Sequence, residues 1–310
     1  MKIIDLFAGI WWIRLGFEKY FWPCVFTSEF DKYCQITYWC NFGELPQGDI
    51  TKIDEKKIPA FDILLAWFPC QPFSNAGLKK WLDDTRWTLF FDIARIVKHH
   101  KPRVVFLENV KWFKSHDKGN TYKMVEKTLE DMGYKVYSKV LNAKDFWVPQ
   151  NRERIYIIWF LDDVDFHFPE PLKKQVKLWD ILEKEVDKKY TISDKLWAWH
   201  QRRKIAHAEK WNGFGYSMFN ADSKYTSTIS ARYYKDGSEI LIEQKWKNPR
   251  KLTPREAARL QWYPESFKIT VSDVQAYKQF WNSVCVPVIK ALAKSVNKAI
   301  YNLNQHNGDK

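Results

Sequence analysis

The chain has 310 residues, enough to bury a large core in one domain or two. Its formal net charge is +13, with Lys and Arg spread along the sequence, which favours a polyanionic partner such as nucleic acid. Five widely spaced cysteines form no Cys-x-x-Cys or Cys/His cluster, which argues against a disulfide framework and structural zinc and fits a reducing cytoplasm.

Strands and helices alternate from the start of the chain. Residues 2–7 form an apolar strand that breaks at Gly9, and residues 13–20 follow with a helical period. A strand, a glycine turn and a helix are typical of sites where a nucleotide-type cofactor meets a helix N-terminus. The next strand ends near Glu29, where an acidic side chain either binds a ribose hydroxyl or belongs to a helix cap.

The most informative stretch follows the apolar run 61–66, which predicts a buried parallel strand. Cys70 comes shortly after this run, and Pro72 prevents a helix from starting early. We therefore expect the cysteine on a loop at the carboxyl end of the strand, where open α/β sheets place ligands and chemistry. A lone cysteine is more often a buried structural residue, but the string Pro-Cys-Gln-Pro-Phe-Ser favours a nucleophile.

Two later strands carry further polar residues. The strand 103–107 ends at Glu108, and Arg152 and Arg154 precede or open the strand 155–160. Because side chains alternate along a strand, we expect both arginines on one face. The alternation of strands with helices predicts an α/β fold with a doubly wound, mostly parallel sheet.

This pattern changes near residue 162. Residues 164–252 lose the alternation and become rich in Lys, Arg, His, Tyr and Ser. We predict a smaller, irregular second domain with a basic, aromatic surface suited to phosphates and bases; a solvated insertion is the alternative. Residues 1–163 would form the first domain, and the helices within 253–310 would return to it. No apolar run has the roughly 18 residues that a membrane span needs.

Six motifs occur in one order along nearly the whole chain. They are Asp5-Leu6-Phe7-Ala8-Gly9, Pro69-Cys70-Gln71, Glu108-Asn109-Val110, Gln150-x-Arg152-x-Arg154, Arg255-Glu256 with Arg259-Leu260-Gln261, and Asn282-Ser283-Val284. Together they resemble the motif set of bacterial cytosine-C5 DNA methyltransferases of restriction-modification systems. The resemblance implies the S-adenosylmethionine-dependent methyltransferase fold with a target-recognition domain. It also implies methyl transfer from S-adenosylmethionine to a cytosine flipped out of double-stranded DNA, with no metal.

The resemblance assigns roles to individual residues. Cys70 would add to cytosine C6, Glu108 would hold the N3 edge, and Arg152 and Arg154 would hold the base and the catalytic loop. The cofactor-binding residues would be Phe7, Gly9, Glu29, Phe30, Asp49, Ile50, Pro69, Leu89 and Asn282. The DNA-binding residues would be Ser74, Gln150, Thr228, Arg232 and Tyr233.

The resemblance also extends to the target and the partners. Residues 213–216 and 226–240 resemble enzymes that methylate the inner cytosine of CCWGG or CCNGG. We expect a monomer that acts on DNA away from membranes, with any cognate restriction endonuclease acting separately.

Three alternatives stay open. The first is a tRNA cytosine-C5 methyltransferase of the same fold, although the Cys-Phe-Thr string expected of such relatives is absent. The second is a catalytically silent DNA-binding protein, which would not need Cys70 or Glu108. The third is a nicotinamide dehydrogenase, which the lack of a full Gly-x-Gly-x-x-Gly disfavours.

Tryptophan usage is unusual, with 17 Trp against 11 Gly. The family pattern has glycine at nine positions that hold tryptophan here: Trp11, Trp12, Trp67, Trp87, Trp112, Trp147, Trp159, Trp262 and Trp281. An indole hinders positive φ and close backbone approach. We hypothesise that these codons are UGA, read as glycine in the source organism and written as tryptophan by a different code. A deliberately inactivated variant is the alternative.

Overall fold

The computed structural model describes residues 1–10, 13–68, 88–172, 176–210 and 215–308. The chain divides into two compact units. The first consists of Met1–Leu141, Glu153–Glu170 and Val288–Lys310, and the second of Asn142–Arg152 and Pro171–Pro287. Of the C-terminal region 253–310, only the part from Val288 onward therefore groups with the first unit.

The first unit is built on a six-stranded sheet. Its strands are β1 (Ile3–Leu6), β2 (Cys24–Ser28), β3 (Ile63–Trp67), β4 (Val104–Val110), β5 (Lys135–Asn142) and β6 (Glu153–Phe160), in the order β2-β1-β3-β4-β6-β5. Strands β1 to β4 pair in parallel, whereas β6 runs antiparallel to β4. The central strands are buried along their length, as expected for apolar runs covered on both faces. This architecture confirms the predicted α/β fold with a mostly parallel sheet.

Helices alternate with these strands in the first unit, and further helices belong to the second unit. The described helices are α1 (Arg14–Phe17), α2 (Lys32–Phe42), α3 (Thr88–His100), α4 (Asn120–Glu130), α5 (Asp194–Glu209), α6 (Tyr233–Asp236), α7 (Pro254–Arg259), α8 (Asp273–Trp281) and α9 (Val286–Gly308). The predicted helix over 13–20 is thus a single turn. That turn meets α9 closely, since a Cβ at Gly16 would overlap Ile289. No helix in the described ranges is both long and apolar enough to cross a membrane.

The second unit has little regular strand structure and contains a buried ion pair between Arg250 and Glu256. Its described strands are the two-residue β7 (Met218–Phe219) and β8 (Leu241–Ile242). Arg250 donates two hydrogen bonds of 2.7 and 2.8 Å to the carboxylate of Glu256. The same carboxylate accepts from the backbone N–H of Thr253 and of Glu183. A buried charge pair is tolerable because each oxygen is hydrogen-bonded in this way.

Three tryptophans in the described part of the chain have a left-handed backbone: Trp147, Trp246 and Trp262, with φ of 64°, 60° and 66°. Trp147 follows the short 3-10 helix Ala143–Phe146, and Trp262 follows α7. Glycine is the residue that most often ends a helix in this conformation.

Candidate active site

The carboxyl end of β3 is held by a side chain from β4. Trp67 pairs with Glu108 in the β3–β4 register, and the amide Nδ2 of the buried Asn109 donates to the carbonyl oxygen of Phe68 at 3.0 Å. The Oδ1 atom of Asn109 accepts from the backbone N–H of Val110 at 2.8 Å. Phe68 is the last described residue before the Pro69-Cys70 motif, so Asn109 fixes the backbone that leads into it.

Asn109 belongs to a predicted motif, but the sequence reasoning gave it no role. Its position at the end of a strand predicted to be buried could have indicated a structural role, because a buried side-chain amide needs hydrogen-bond partners.

Glu108 and Arg154 meet on neighbouring strands. In the β4–β6 pairing Glu108 lies opposite Tyr156, so Arg154 is its diagonal neighbour on the same face. The Arg154 Nε atom lies 3.2 Å from Glu108 Oε1, and both side chains are buried. Glu153 instead pairs with Lys111 on the exposed side. The structure thus places a carboxyl group and a guanidinium together at the carboxyl end of β4.

Arg152 takes different partners from Arg154. It precedes β6, and its buried Nη2 atom donates to the carbonyl oxygens of Trp281, at 2.8 Å, and of Ser283. The expectation that Arg152 and Arg154 lie on one face stays a prediction, because β6 begins only at Glu153 and Arg152 precedes it. Asn282, a predicted cofactor-binding residue, lies between the two carbonyls that Arg152 holds.

The predicted cofactor turn is organised around Glu29. One carboxylate oxygen accepts from the backbone N–H of Gly9 at 2.8 Å and the other from that of Asp31 at 2.8 Å. Burial raises the pKa of Glu29. Phe7 has φ of 56°, which is strained for an aromatic residue and typical of functional turns. Phe30 is 74% exposed, so its ring is open to stacking.

Asp5, on β1, is a second acidic group near this turn. It opens the first of the six motifs, but no role was predicted for it. Its side chain is buried, and burial raises its pKa well above the usual value, although the charge of Arg14 acts in the opposite direction. The charge of Glu29 also raises the pKa of Asp5, so the two acidic groups interact.

The remaining cofactor-binding predictions fall in three environments. Asp49 caps a 3-10 helix by accepting from Thr51, Ile50 is buried in the core, and Leu89 is half-buried on the first turn of α3. The predicted residues Cys70, Pro69 and Ser74, together with Trp11, Trp12 and Trp87, lie outside the described residues.

The residues predicted to bind DNA differ in how far they are buried. Gln150 is fully buried, and among the described residues its carboxamide has no hydrogen-bond partner. Thr228 is half-buried and donates to the carbonyl oxygen of Asn151 at 2.7 Å. Arg232 is exposed. Tyr233 is fully buried, and its hydroxyl donates to the carbonyl oxygen of Ile240. The predicted contact of Tyr233 with DNA is therefore not supported, because its side chain is not accessible.

Among the described residues, no three His, Cys, Asp or Glu side chains lie close enough together to hold a metal ion.

Comparison with known proteins identifies the family. Residues 1–298 match the model of the C-5 cytosine-specific DNA methylases. The chain is 61% identical to the type II methyltransferase M.NlaX of Neisseria lactamica, over 96% of this chain and 97% of the relative. It is 59% identical to M.SsoII of Shigella sonnei, over 95% of this chain and 79% of that protein.

A solved structure supports the fold independently. The S. pombe Dnmt2 methyltransferase superposes with a TM-score of 0.80 at 21% identity, covering 98% of this chain and 99% of that one. The family predicted from the motifs is confirmed, and the chain belongs to the C-5 cytosine-specific DNA methylases.

Proposed function

We propose that this enzyme transfers a methyl group from S-adenosylmethionine to C5 of a cytosine flipped out of duplex DNA, as the modification enzyme of a type II restriction-modification system. The observation that carries the proposal is the buried Glu108–Arg154 pair at the carboxyl end of β4. It lies beside the strand that leads into Pro69-Cys70. High identity to named type II methyltransferases supports the same activity.

The proposed chemistry follows from the reactivity of cytosine. C5 is a poor nucleophile until a thiolate adds at C6, and Cys70 is the residue proposed to add. A protonated Glu108 would donate to N3 and offset the charge that addition places on the ring. Arg154 keeps the Glu108 carboxyl in position. After transfer, a base removes the C5 proton, the C6–sulfur bond breaks and the thiolate leaves.

The residues of the first unit fit a nucleoside methyl donor. The Glu29 carboxylate accepts backbone hydrogen bonds from Gly9, Asp31 and Phe30, which leaves one of its four lone pairs for a ribose hydroxyl. The exposed ring of Phe30 offers a stacking surface for an adenine. When bound, S-adenosylmethionine would supply an activated methyl group on sulfur. Phe7, Gly9, Asp49, Ile50, Pro69, Leu89 and Asn282 are the other residues proposed to bind it.

Target choice is proposed to reside in the second unit. Resemblance of residues 226–240 to enzymes of CCWGG and CCNGG sites suggests the inner cytosine of such a site. The exposed Arg232 is proposed to contact DNA, as are Ser74 and Gln150. The enzyme is proposed to act as a monomer.

Bisulfite sequencing of host DNA after expression of the gene with glycine restored tests the proposal. We expect protected cytosines at the inner position of one short palindrome, and none in cells that express Cys70→Ser. Methylated host tRNA with unmethylated DNA would instead favour the tRNA methyltransferase alternative.

A further inference from the structure

Residues 226–228 of the proposed recognition region lie directly against the segment that precedes β6, within the second unit. The backbone N–H of Asn151 donates to the Thr226 carbonyl at 2.8 Å, and the Thr226 N–H donates to the Pro149 carbonyl at 2.9 Å. Gln150 and Thr226 form a parallel bridge. The Thr228 hydroxyl adds a bond of 2.7 Å to the Asn151 carbonyl. The recognition region is therefore in fixed register with residues 149–151.

The next residue in the chain, Arg152, is anchored at its other end. Its guanidinium donates to the carbonyls of Trp281 and Ser283. Ser283 is itself fixed, since its hydroxyl donates to Gln261 Oε1 at 2.6 Å and accepts from the Tyr263 hydroxyl at 3.2 Å. A continuous series of hydrogen bonds and one covalent step thus joins Thr228 to the turn that contains Asn282.

We propose that Thr228 is a positioning residue, which keeps Arg152 and the 281–283 turn in their working geometry when the recognition region binds its target. The inference rests on the proposed function, because it assumes that Arg152 and Asn282 serve the methyl-transfer site. Thr228 is half-buried and could hydrate its hydroxyl at little cost. Its bond to a backbone carbonyl instead ties the recognition segment to the residue before Arg152.

The proposal differs from the role that family resemblance gives Thr228. A threonine that contacts DNA should act on DNA affinity. A threonine that positions Arg152 should act on turnover once DNA is saturating, because geometry at the site changes while docking does not. The ratio of kcat to KM effects therefore separates the two roles.

The test uses Thr228→Val, which keeps the shape and removes the hydroxyl, and Thr228→Ser, which restores it. Ser230→Ala is the matched control, since the Ser230 hydroxyl lies on the same segment and accepts only a local bond from the Arg232 N–H among those observed. Methyl transfer to a cognate duplex is measured at saturating DNA and donor. KM for each substrate and the urea midpoint of each variant are measured in parallel.

We expect Thr228→Val to lower kcat about tenfold, the loss that one neutral hydrogen bond can produce. KM for DNA should stay within about twofold, and Thr228→Ser and Ser230→Ala should turn over like the parent. A raised KM for DNA with unchanged kcat, or equal losses in Thr228→Ser and Thr228→Val, would overturn the proposal. All variants are made in the form with glycine at 11, 12, 67 and 281. Absence of methyl transfer by that parent to any duplex would instead refute the proposed function itself.

Discussion

At the scale of single residues, Trp147 and Trp262 are held in backbone conformations that glycine adopts without strain. Both have φ between 60° and 70°; Trp147 ends a 3-10 helix, and Trp262 lies in the turn that follows α7. A bulky side chain there costs on the order of 1–3 kcal/mol, and glycine avoids that cost. The same is true of Trp246, whose side chain is fully exposed and gains nothing from packing. These three positions support the hypothesis that many tryptophans of this chain stand at glycine codons.

Trp147→Gly and Trp262→Gly should therefore each stabilise the second unit by about 1 kcal/mol. The relief of backbone strain stabilises the folded state, and the greater flexibility of glycine in the unfolded chain offsets part of that gain. Urea unfolding of the two variants measures this. The control is Trp179→Gly in the same unit, an exposed tryptophan in a 3-10 helix whose φ is not positive. If the control gains as much as the other two, relief of left-handed strain is not the cause.

Asp5 offers a second test at this scale, through pH. Because burial raises its pKa, the native state keeps a proton that the unfolded chain releases above about pH 4. The free energy of unfolding therefore falls as the pH rises from about 4 toward the raised pKa of Asp5. The stabilisation that comes from the protonated carboxyl is complete only below about pH 4.

Asp5→Asn removes this dependence while keeping an acceptor of the same size. The stability of the variant relative to the parent should increase between pH 4.5 and pH 7, because only the parent must keep a carboxyl protonated as the pH rises. Urea unfolding at the two pH values gives the difference. A gap between variant and parent that stays constant with pH would mean that Asp5 is ionised in the native state.

At the scale of elements, the carboxyl ends of β3 and β4 form the edge at which we propose that the methyl-transfer chemistry takes place. Sequence patterns predicted these strands well, because strands covered on both faces are continuous apolar runs. A two-residue period applies only inside a strand, so it could not predict the hydrogen-bond partners of Arg152, which precedes β6. Sequence patterns also failed to separate the buried Tyr233 from its exposed neighbours, because an aromatic, basic context is common to cores and surfaces.

The bond from Asn109 to Phe68 gives a prediction for this edge. Asn109→Ala should lower methyl transfer by on the order of 10–100-fold, since small displacements at a reacting centre are costly. DNA affinity should change little. The control is Asn41→Ala on α2, where another side-chain amide donates to a backbone carbonyl, that of Thr37. Equal losses of activity in both variants would assign the effect to general destabilisation.

At the scale of the whole molecule, the charge of +13 predicts binding to DNA that weakens steeply with salt. Arg232→Ala should weaken binding to all duplexes alike and reduce the slope of log Kd against log salt by about 1, if its exposed guanidinium contacts a phosphate. Fluorescence anisotropy at several salt concentrations measures the slope. Lys19→Ala, an exposed lysine of the first unit, is the control. An unchanged slope for Arg232→Ala would remove that residue from the DNA surface.

The central claim is that Cys70 attacks cytosine C6 during methyl transfer to C5. A duplex with 5-fluorocytosine at the target position tests it directly, because fluorine cannot leave as the C5 proton does and the adduct therefore persists. The assay uses the chain as it stands, a form with glycine at 11, 12, 67 and 281, and Cys70→Ser in each. With S-adenosylmethionine present, mass spectrometry should detect a protein–DNA adduct in at least the glycine form and none in either Cys70→Ser variant. No adduct in both parents, or an adduct that survives Cys70→Ser, would contradict the account.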